Sequence, residues 1–277
     1  MPTETPTAMF EGKHAAYHVV EAGKPDGPAL LLLAGLASDH RSWGPVLALL
    51  GQGYRLVMPD NQGCGQTVLH PGKGIDLSAM VDDYAHLIDH YTDGSALVLG
   101  HSLGASLAME LAARFPARVS RLVIAGGAAS MPAPMRQALT DLASLRRVLA
   151  DAGEETLWYR ILFQWLFAPK FFDDSRAVLA AAQMATAMEH SQTAADFCAQ
   201  VEALFAGTLT AEPGAVTCPA LVIHGGQDRF FAGTKGAHDL IAIPSVQVVT
   251  LDEAAHSLHW DEPEEFARAV LAFLNAA

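Results

Sequence analysis

Cysteine and basic residues are both scarce in this chain. Three cysteines, Cys64, Cys198 and Cys218, are spread over 277 residues; odd in number and widely separated, they build neither a disulfide framework nor a spaced metal motif and read as free thiols. Seventeen Lys and Arg against thirty Asp and Glu leave a formal charge of −13. Such a surface repels nucleic acid and anionic membranes, so neither is an expected partner. Long hydrophobic runs are missing as well: the longest, around Ala29–Leu33, is far short of the roughly 20 residues that span a bilayer. The opening Met1-Pro2-Thr3-Glu4 has no basic leader, and the expectation is a cytoplasmic protein without membrane insertion. No Gly-Lys-Ser/Thr phosphate loop occurs, Gly72-Lys73-Gly74 failing that test, and the Gly63/Gly65 pair lacks the third glycine of a nucleotide fingerprint. His86 and His90 stand four apart but lack the Glu of a zinc-protease motif, so neither a cofactor nor a metal is expected.

What is present is apolar residue in quantity, 51% of the chain, ample for a sizeable core. Short Leu/Val/Ile runs recur at Leu30–Leu33, Leu56–Met58, Leu97–Leu99, Leu122–Ile124, Leu221–Ile223 and Val246–Leu251, with helical patterns between most of them. Continuous apolar strands of this kind belong in a parallel sheet buried on both faces, and their alternation with helices predicts an α/β fold with a mostly parallel central sheet flanked by helices. Met9–Phe10 and Ala15–Val20 suit an antiparallel hairpin opening that sheet. Over Asp76–Tyr91 the residues Val81, Tyr84, Leu87, Ile88 and Tyr91 recur at helical spacing, with Asp82, His86, Asp89 and His90 on the wet face. The rhythm breaks between Ser130 and Glu212, which hold helical patterns, no strand and a dense aromatic group. Residues 1–129 and 213–277 therefore read as an α/β core and 130–212 as an inserted helical subdomain. There is no internal repeat or low-complexity tract, only a short, loose Pro/Thr-rich start.

The most informative motif is Gly100-His101-Ser102-Leu103-Gly104, set where the run Ala96–Leu99 gives way to a helix of small residues, Leu103–Phe115. A serine squeezed into a tight strand-to-helix turn takes an unfavourable backbone conformation, and glycines two residues before and after it let strand and helix approach closely. A serine hydroxyl is a poor nucleophile at neutral pH and needs a base, which needs an acid to hold its tautomer. Those partners must come from loops at the carboxyl edge of the same sheet. Asp228 follows the run Leu221–Ile223 and His256 follows Val246–Leu251; His224 and His259 compete as base, and Asp239 and Asp252 as acid.

These motifs together resemble the α/β-hydrolase family over nearly the whole chain. The elbow, the Gly225-Gly226-Gln227-Asp228 loop and Ala255-His256-Ser257-Leu258-His259-Trp260-Asp261-Glu262-Pro263 stand in the family's order of serine, acid and histidine. The resemblance implies Ser102, Asp228 and His256 as catalytic residues, an oxyanion hole from the backbone N–H groups of Leu36 and Leu103, and a helical cap over residues 130–212. Two departures stand out. Ala34-Gly35 replaces the family's His-Gly, leaving the rigidity of the Leu36 loop in question, and Gln62 replaces the arginine of Pro-Asp-x-Arg-Gly, which implies a lost ion pair. His101, Trp158, Phe163, Trp165, Phe167 and Met184 are the candidate pocket residues, with Met188 beside them, and Arg146, Arg147 and Arg160 the cap cations that could meet a substrate carboxylate. The expected partner is a small, largely apolar ester or lactone, cleaved through a Ser102 acyl-enzyme. Carbon–carbon bond hydrolases, cofactor-free haloperoxidases and a ligand sensor with little turnover are the competing readings, and a homo-oligomer is left open.

Overall fold

The structure, a computed structural model, describes residues 7–276. The Met1–Glu4 start and most of the Pro/Thr-rich segment lie outside the described residues. The core opens with β1 (Ala8–Glu11) and β2 (Ala15–Gly23), the antiparallel hairpin expected from the sequence, followed by β3 (Ala29–Leu33), α1 (Gly44–Leu50), β4 (Arg55–Pro59) and β5 (Val68–Leu69). There follow α2 (Leu77–Tyr91), β6 (Ala96–His101), α3 (Leu103–Arg114) and β7 (Val119–Ala125). Four helices come next: α4 (Ala133–Asp151), α5 (Glu155–Leu166), α6 (Ser175–Ala187) and α7 (Ala194–Phe205). The chain then returns to the sheet with β8 (Ala220–Gly225), α8 (Lys235–Asp239), β9 (Val246–Leu251), α9 (Leu258–Asp261) and α10 (Pro263–Leu274).

The strands join in the order β1-β2-β4-β3-β6-β7-β8-β9, parallel from β4 to β9 and antiparallel at the β2 end, with β5 paired to β2. β5 is two residues long and escaped the sequence pattern. Alternation within each strand sends side chains to opposite faces. Leu31, Leu33, Val57 and Val98 pack with α2 and α3 residues such as Tyr84 and Leu107, while Leu30, Leu32, Leu56 and Leu99 pack with Val46 and Leu50 of α1 and Phe266 and Val270 of α10. Val246–Leu251 departs from the doubly buried expectation: β9 is the edge strand, and Val248 is exposed. Helix α2 starts at Leu77, with the Asp76 side chain accepting from Ala79 N–H, and its wet face carries the exposed His86, Asp89 and His90 as the pattern predicted. Among the described residues no helix is long and apolar enough to cross a membrane.

The tightest packing constraint is at the turn from β6 to α3. A Cβ on Gly100 would lie 2.1 Å from Gly104 O, and one on Gly104 would lie 2.0 Å from Leu33 O. Both contacts are with backbone that cannot swing away, so the helix reaches the sheet only because these positions carry no side chain. Gly104→Ala is therefore expected to cost at least ~2 kcal/mol of stability, measured by urea unfolding; a wild-type midpoint would show that the approach is not needed.

Candidate active site

Parallel register delivers three loops to one edge. β6 ends at His101 beside Ala125 of β7, Ala125 pairs with Ile223 of β8, and Gly225 of β8 pairs with Leu251 of β9. The residues immediately beyond these ends are Ser102, the loop bearing Asp228 and the loop bearing His256. Ser102 sits at φ 56°, ψ −116°, in the left-handed half of backbone space that non-glycine residues avoid, and its N–H is held by Ala125 O at 3.0 Å. The elbow is strained as the sequence predicted, and the neighbouring strand holds it.

Ser102 Oγ lies 2.8 Å from His256 Nε2, and His256 Nδ1 lies 2.9 Å from Asp228 Oδ2. A carboxylate only accepts, so Nδ1 carries the proton, Nε2 is the acceptor, and the serine hydroxyl donates to it. Asp228 Oδ1 accepts from Phe230 N–H at 2.8 Å and Phe231 N–H at 3.2 Å, which fixes the carboxylate. Burial works to raise the Asp228 pKa, but the facing imidazole and these hydrogen bonds outweigh it and hold the carboxyl below its ordinary range. His224, Asp239, Asp252 and His259, the competing residues, take no part in this chain of bonds.

Leu103 is the first residue of α3, so its N–H has no intrahelical acceptor. Leu36 N–H donates to nothing among the described residues. The Leu36 loop runs close against the nucleophile, an ideal Cβ on Gly35 meeting Ser102 Cβ at 3.1 Å. Its missing histidine is replaced by a different brace: Asn61 Nδ2 donates to Ala34 O at 2.9 Å, and Tyr84 Oη donates to Asn61 Oδ1 at 2.6 Å. Asp60 extends the support by accepting from His40 N, His40 Nδ1, His18 Nδ1 and Gln66 N. The ligand atoms of His18, His40 and Asp60 lie within 4.8 Å of one another, the spacing of a metal set, yet both carboxylate oxygens are already occupied by these N–H donors. Gln62, in place of the family's arginine, is fully buried and uncharged, donating to Tyr17 Oη at 2.8 Å and accepting from Asp76 N at 2.9 Å.

A cavity of about 260 Å³ opens on Ser102 and runs along α3 past Ser106 and Glu110. Leu36, Leu103, His101 and His256 line it at the reacting end, and Leu139, Leu162, Leu166 and Leu204 close it from the helical insertion. The aromatic pocket list requires correction: Trp158, Phe163, Trp165, Phe167 and Met184 do not line this cavity. Trp158 is buried inside the insertion, edge-on to Phe197 and under the Arg146 guanidinium at 4.0 Å. Trp165 stacks on Phe230, Phe163 packs on Phe167 and Phe171, and Phe167 meets Trp260, so these rings fasten the insertion together and to the core. Met184 and Met188 are exposed. Arg146 is buried and paired with Glu155, Arg147 pairs with Glu202 on the surface, and Arg160 is exposed. The cation on the cavity wall is Arg136, and the aromatic residues there are Phe230 and Phe231. Those two stand two and three residues after Asp228, and that nearness to the candidate acid was the available signal.

Behind His256 lie two more histidines. Burial, then the neighbouring imidazoles, push His101 well below the ordinary histidine range, and burial brings His259 down to about 3. His101 Nε2 donates to His256 O at 2.8 Å, so its ring is a neutral clamp on the base loop.

The model of the alpha/beta hydrolase family matches residues 30–269. The chain belongs to the alpha/beta hydrolase family. The hydrolase is 25% identical over 246 residues, 89% of this chain and 91% of the relative, to RutD of Escherichia coli O127:H6, which carries the name of a carbamate hydrolase. The enol-lactonase of Burkholderia xenovorans LB400 shares its fold with a TM-score of 0.81 at 24% identity, covering 98% of this hydrolase and all of the lactonase. BpoC of Mycobacterium tuberculosis H37Rv, which bears the name of a non-heme bromoperoxidase, superposes with a TM-score of 0.79 at 25% identity over 96% of this hydrolase and 98% of that chain.

The neutral histidines set a pH dependence. A histidine whose folded-state pKa is depressed costs stability once the unfolded chain takes up a proton, so its penalty grows as pH falls below about 6.5. With His259 at about 3, the penalty reaches about 2 kcal/mol at pH 5. His259→Gln should flatten the loss of stability between pH 8 and pH 5 by that amount in urea unfolding; unchanged pH dependence would mean that His259 is protonated in the folded protein.

Proposed function

We propose that this hydrolase cleaves a carboxylic ester or lactone of a small, largely apolar substrate through an acyl-enzyme on Ser102. The observation that carries the reading is the unbroken line of hydrogen bonds Ser102–His256–Asp228 opening on a leucine-walled cavity. His256 Nε2 takes the hydroxyl proton as Oγ attacks the carbonyl carbon, and Asp228 stabilises the imidazolium that forms. The developing oxyanion is received by Leu36 and Leu103 N–H, donors that need no reorganisation. The imidazolium then gives its proton to the departing alkoxide, and His256 deprotonates the water that releases the acid.

At about 260 Å³ the cavity falls just below the roughly 300–1,000 Å³ of drug-sized ligand sites, which favours a short substrate. In this reading residues 130–212 act as a cap, supplying the walls through Leu139, Leu162 and Leu166. The names of the enol-lactonase and of RutD fit the same acyl chemistry, since lactones and carbamates both present a carbonyl carbon to the serine.

A fluorophosphonate is expected to add once to the wild-type chain, as read by intact mass, and not to Ser102→Ala. That variant should keep its unfolding midpoint and lose at least ~10³-fold in kcat on short p-nitrophenyl esters and lactones. Retention of most turnover would overturn the role of Ser102. Labelling with turnover of a vinylogous diketone, and none of esters or lactones, would move the assignment to carbon–carbon cleavage.

A further inference from the structure

Three consecutive residues at the base are held by three different parts of the molecule. Ala255 N–H donates to Asp261 Oδ2 at 2.8 Å, His256 O accepts from His101 Nε2 at 2.8 Å, and Ser257 N–H donates to Leu166 O at 2.8 Å. Leu166 is the last residue of α5, so one of these bonds joins the insertion directly to the residue after His256. Asp261 supplies a second joint: the oxygen that accepts from Ala255 also accepts from Ala168 N–H at 3.1 Å, just beyond α5. One carboxylate oxygen thus bridges the insertion and the residue before His256. The same stretch, Leu166 with its neighbour Leu162, walls the cavity. The insertion therefore meets the residues flanking His256 twice, directly through the Ser257–Leu166 bond and through the Asp261 carboxylate.

We propose that Asp261 is a positioning residue that ties the seating of the helical insertion to the alignment of His256 on Ser102. The inference rests on the serine-hydrolase reading above. The carboxylate touches no reacting atom and acts through the Ala255 backbone. A misplacement of about 1 Å at a reacting group can cost on the order of 10²-fold in rate, so a loosened base loop has a measurable signature.

The test compares Asp261→Ala, Asp261→Asn and Ala168→Pro in the full chain, reading kcat and KM on p-nitrophenyl butyrate and the rate constant for fluorophosphonate labelling of Ser102. Asp261→Ala is expected to lower kcat and labelling ~10–100-fold with KM within about threefold of wild type. Asp261→Asn should stay within about threefold of wild type in all three, because its carboxamide oxygen can take the place of Oδ2 and keep both bridging bonds, giving up only the longer Ala168 N–H contact to Oδ1 at 3.2 Å. Ala168→Pro removes the donor on the insertion side alone. Ala168 already sits at φ −65°, ψ 155°, and Phe167 before it at φ −110°, ψ 151°, both compatible with proline. It should lower kcat and labelling at least threefold, and it keeps the test decisive should Asp261→Ala fail to fold. Lys170→Met, which breaks the exposed ion pair to Glu262 and leaves both bridging bonds of Asp261 in place, should leave both rates within about threefold of wild type.

Equal impairment of the Asn and Ala variants, an effect confined to KM, a wild-type rate in Ala168→Pro, or a Lys170→Met loss as large as that of Asp261→Ala would each overturn the proposal. A wild-type chain that resists labelling would instead overturn the serine-hydrolase reading beneath it.

Discussion

Everything at the candidate site depends on how closely α3 approaches the sheet. With Gly100 and Gly104 in contact with backbone, the chain must reverse within a single residue, and Ser102 is that residue, at φ 56°. The strained conformation starts α3 at Leu103, whose N–H has no intrahelical acceptor, and puts the Gly35 loop against the Ser102 side chain. One steric constraint therefore places Ser102, the proposed nucleophile, beside one donor of the proposed oxyanion hole, with the loop that carries the other packed against it.

The second donor depends on a polar network that does not follow the family pattern. Gln62, where the sequence implied a lost ion pair, links Tyr17 to the start of α2 by hydrogen bonds without a cation, and Asn61 beside it grips the carbonyl of Ala34. An uncharged amide at position 62 avoids the desolvation cost that a buried guanidinium would meet, provided its polar atoms are satisfied. Gln62 and Asn61 each donate and accept, which meets that condition and stiffens the Leu36 loop without a histidine of its own.

The sequence told more about the hydrogen-bonded residues Ser102, His256 and Asp228 than about the walls around them. Ser102, Asp228 and His256 were legible because each follows a strong apolar strand run, and a parallel sheet brings all such ends to one edge. The sheet was legible for the same reason, apart from β5, too short to show a period, and β9, whose apolar run masked an edge strand. The cavity wall was not legible. Aromatic density in residues 130–212 marks where the insertion packs, since large rings yield most when fully surrounded, as Trp158 is by Phe197, Tyr159 and Arg146. The wall falls to leucines such as Leu162 and Leu166, four apart on α5, whose period matches ordinary core packing and gives no separate signal. Arg146 deceived for a related reason: its charge suggested a surface or ligand site, while its neutralisation by Glu155 and the face of Trp158 lets it lie buried.

Electrostatics around the base follow from the same packing. His256 must carry a positive charge for part of the proposed cycle, and the His101 ring lies 5.0 Å from it, centroid to centroid, with His259 a further 4.7 Å from His101. Had either been protonated, like-charge repulsion across a poorly solvated interior would oppose formation of the imidazolium. Burial prevents this: His259 is enclosed by Trp43, Phe266 and His101, and His101 Nε2 is bonded to the carbonyl of His256. The charge facing His256 is then that of Asp228, held ionised by the imidazole and two backbone N–H groups. The apolar packing that makes His101 and His259 poor bases keeps further positive charge away from His256, whose Nδ1 bonds the Asp228 carboxylate and whose Nε2 faces Ser102 Oγ.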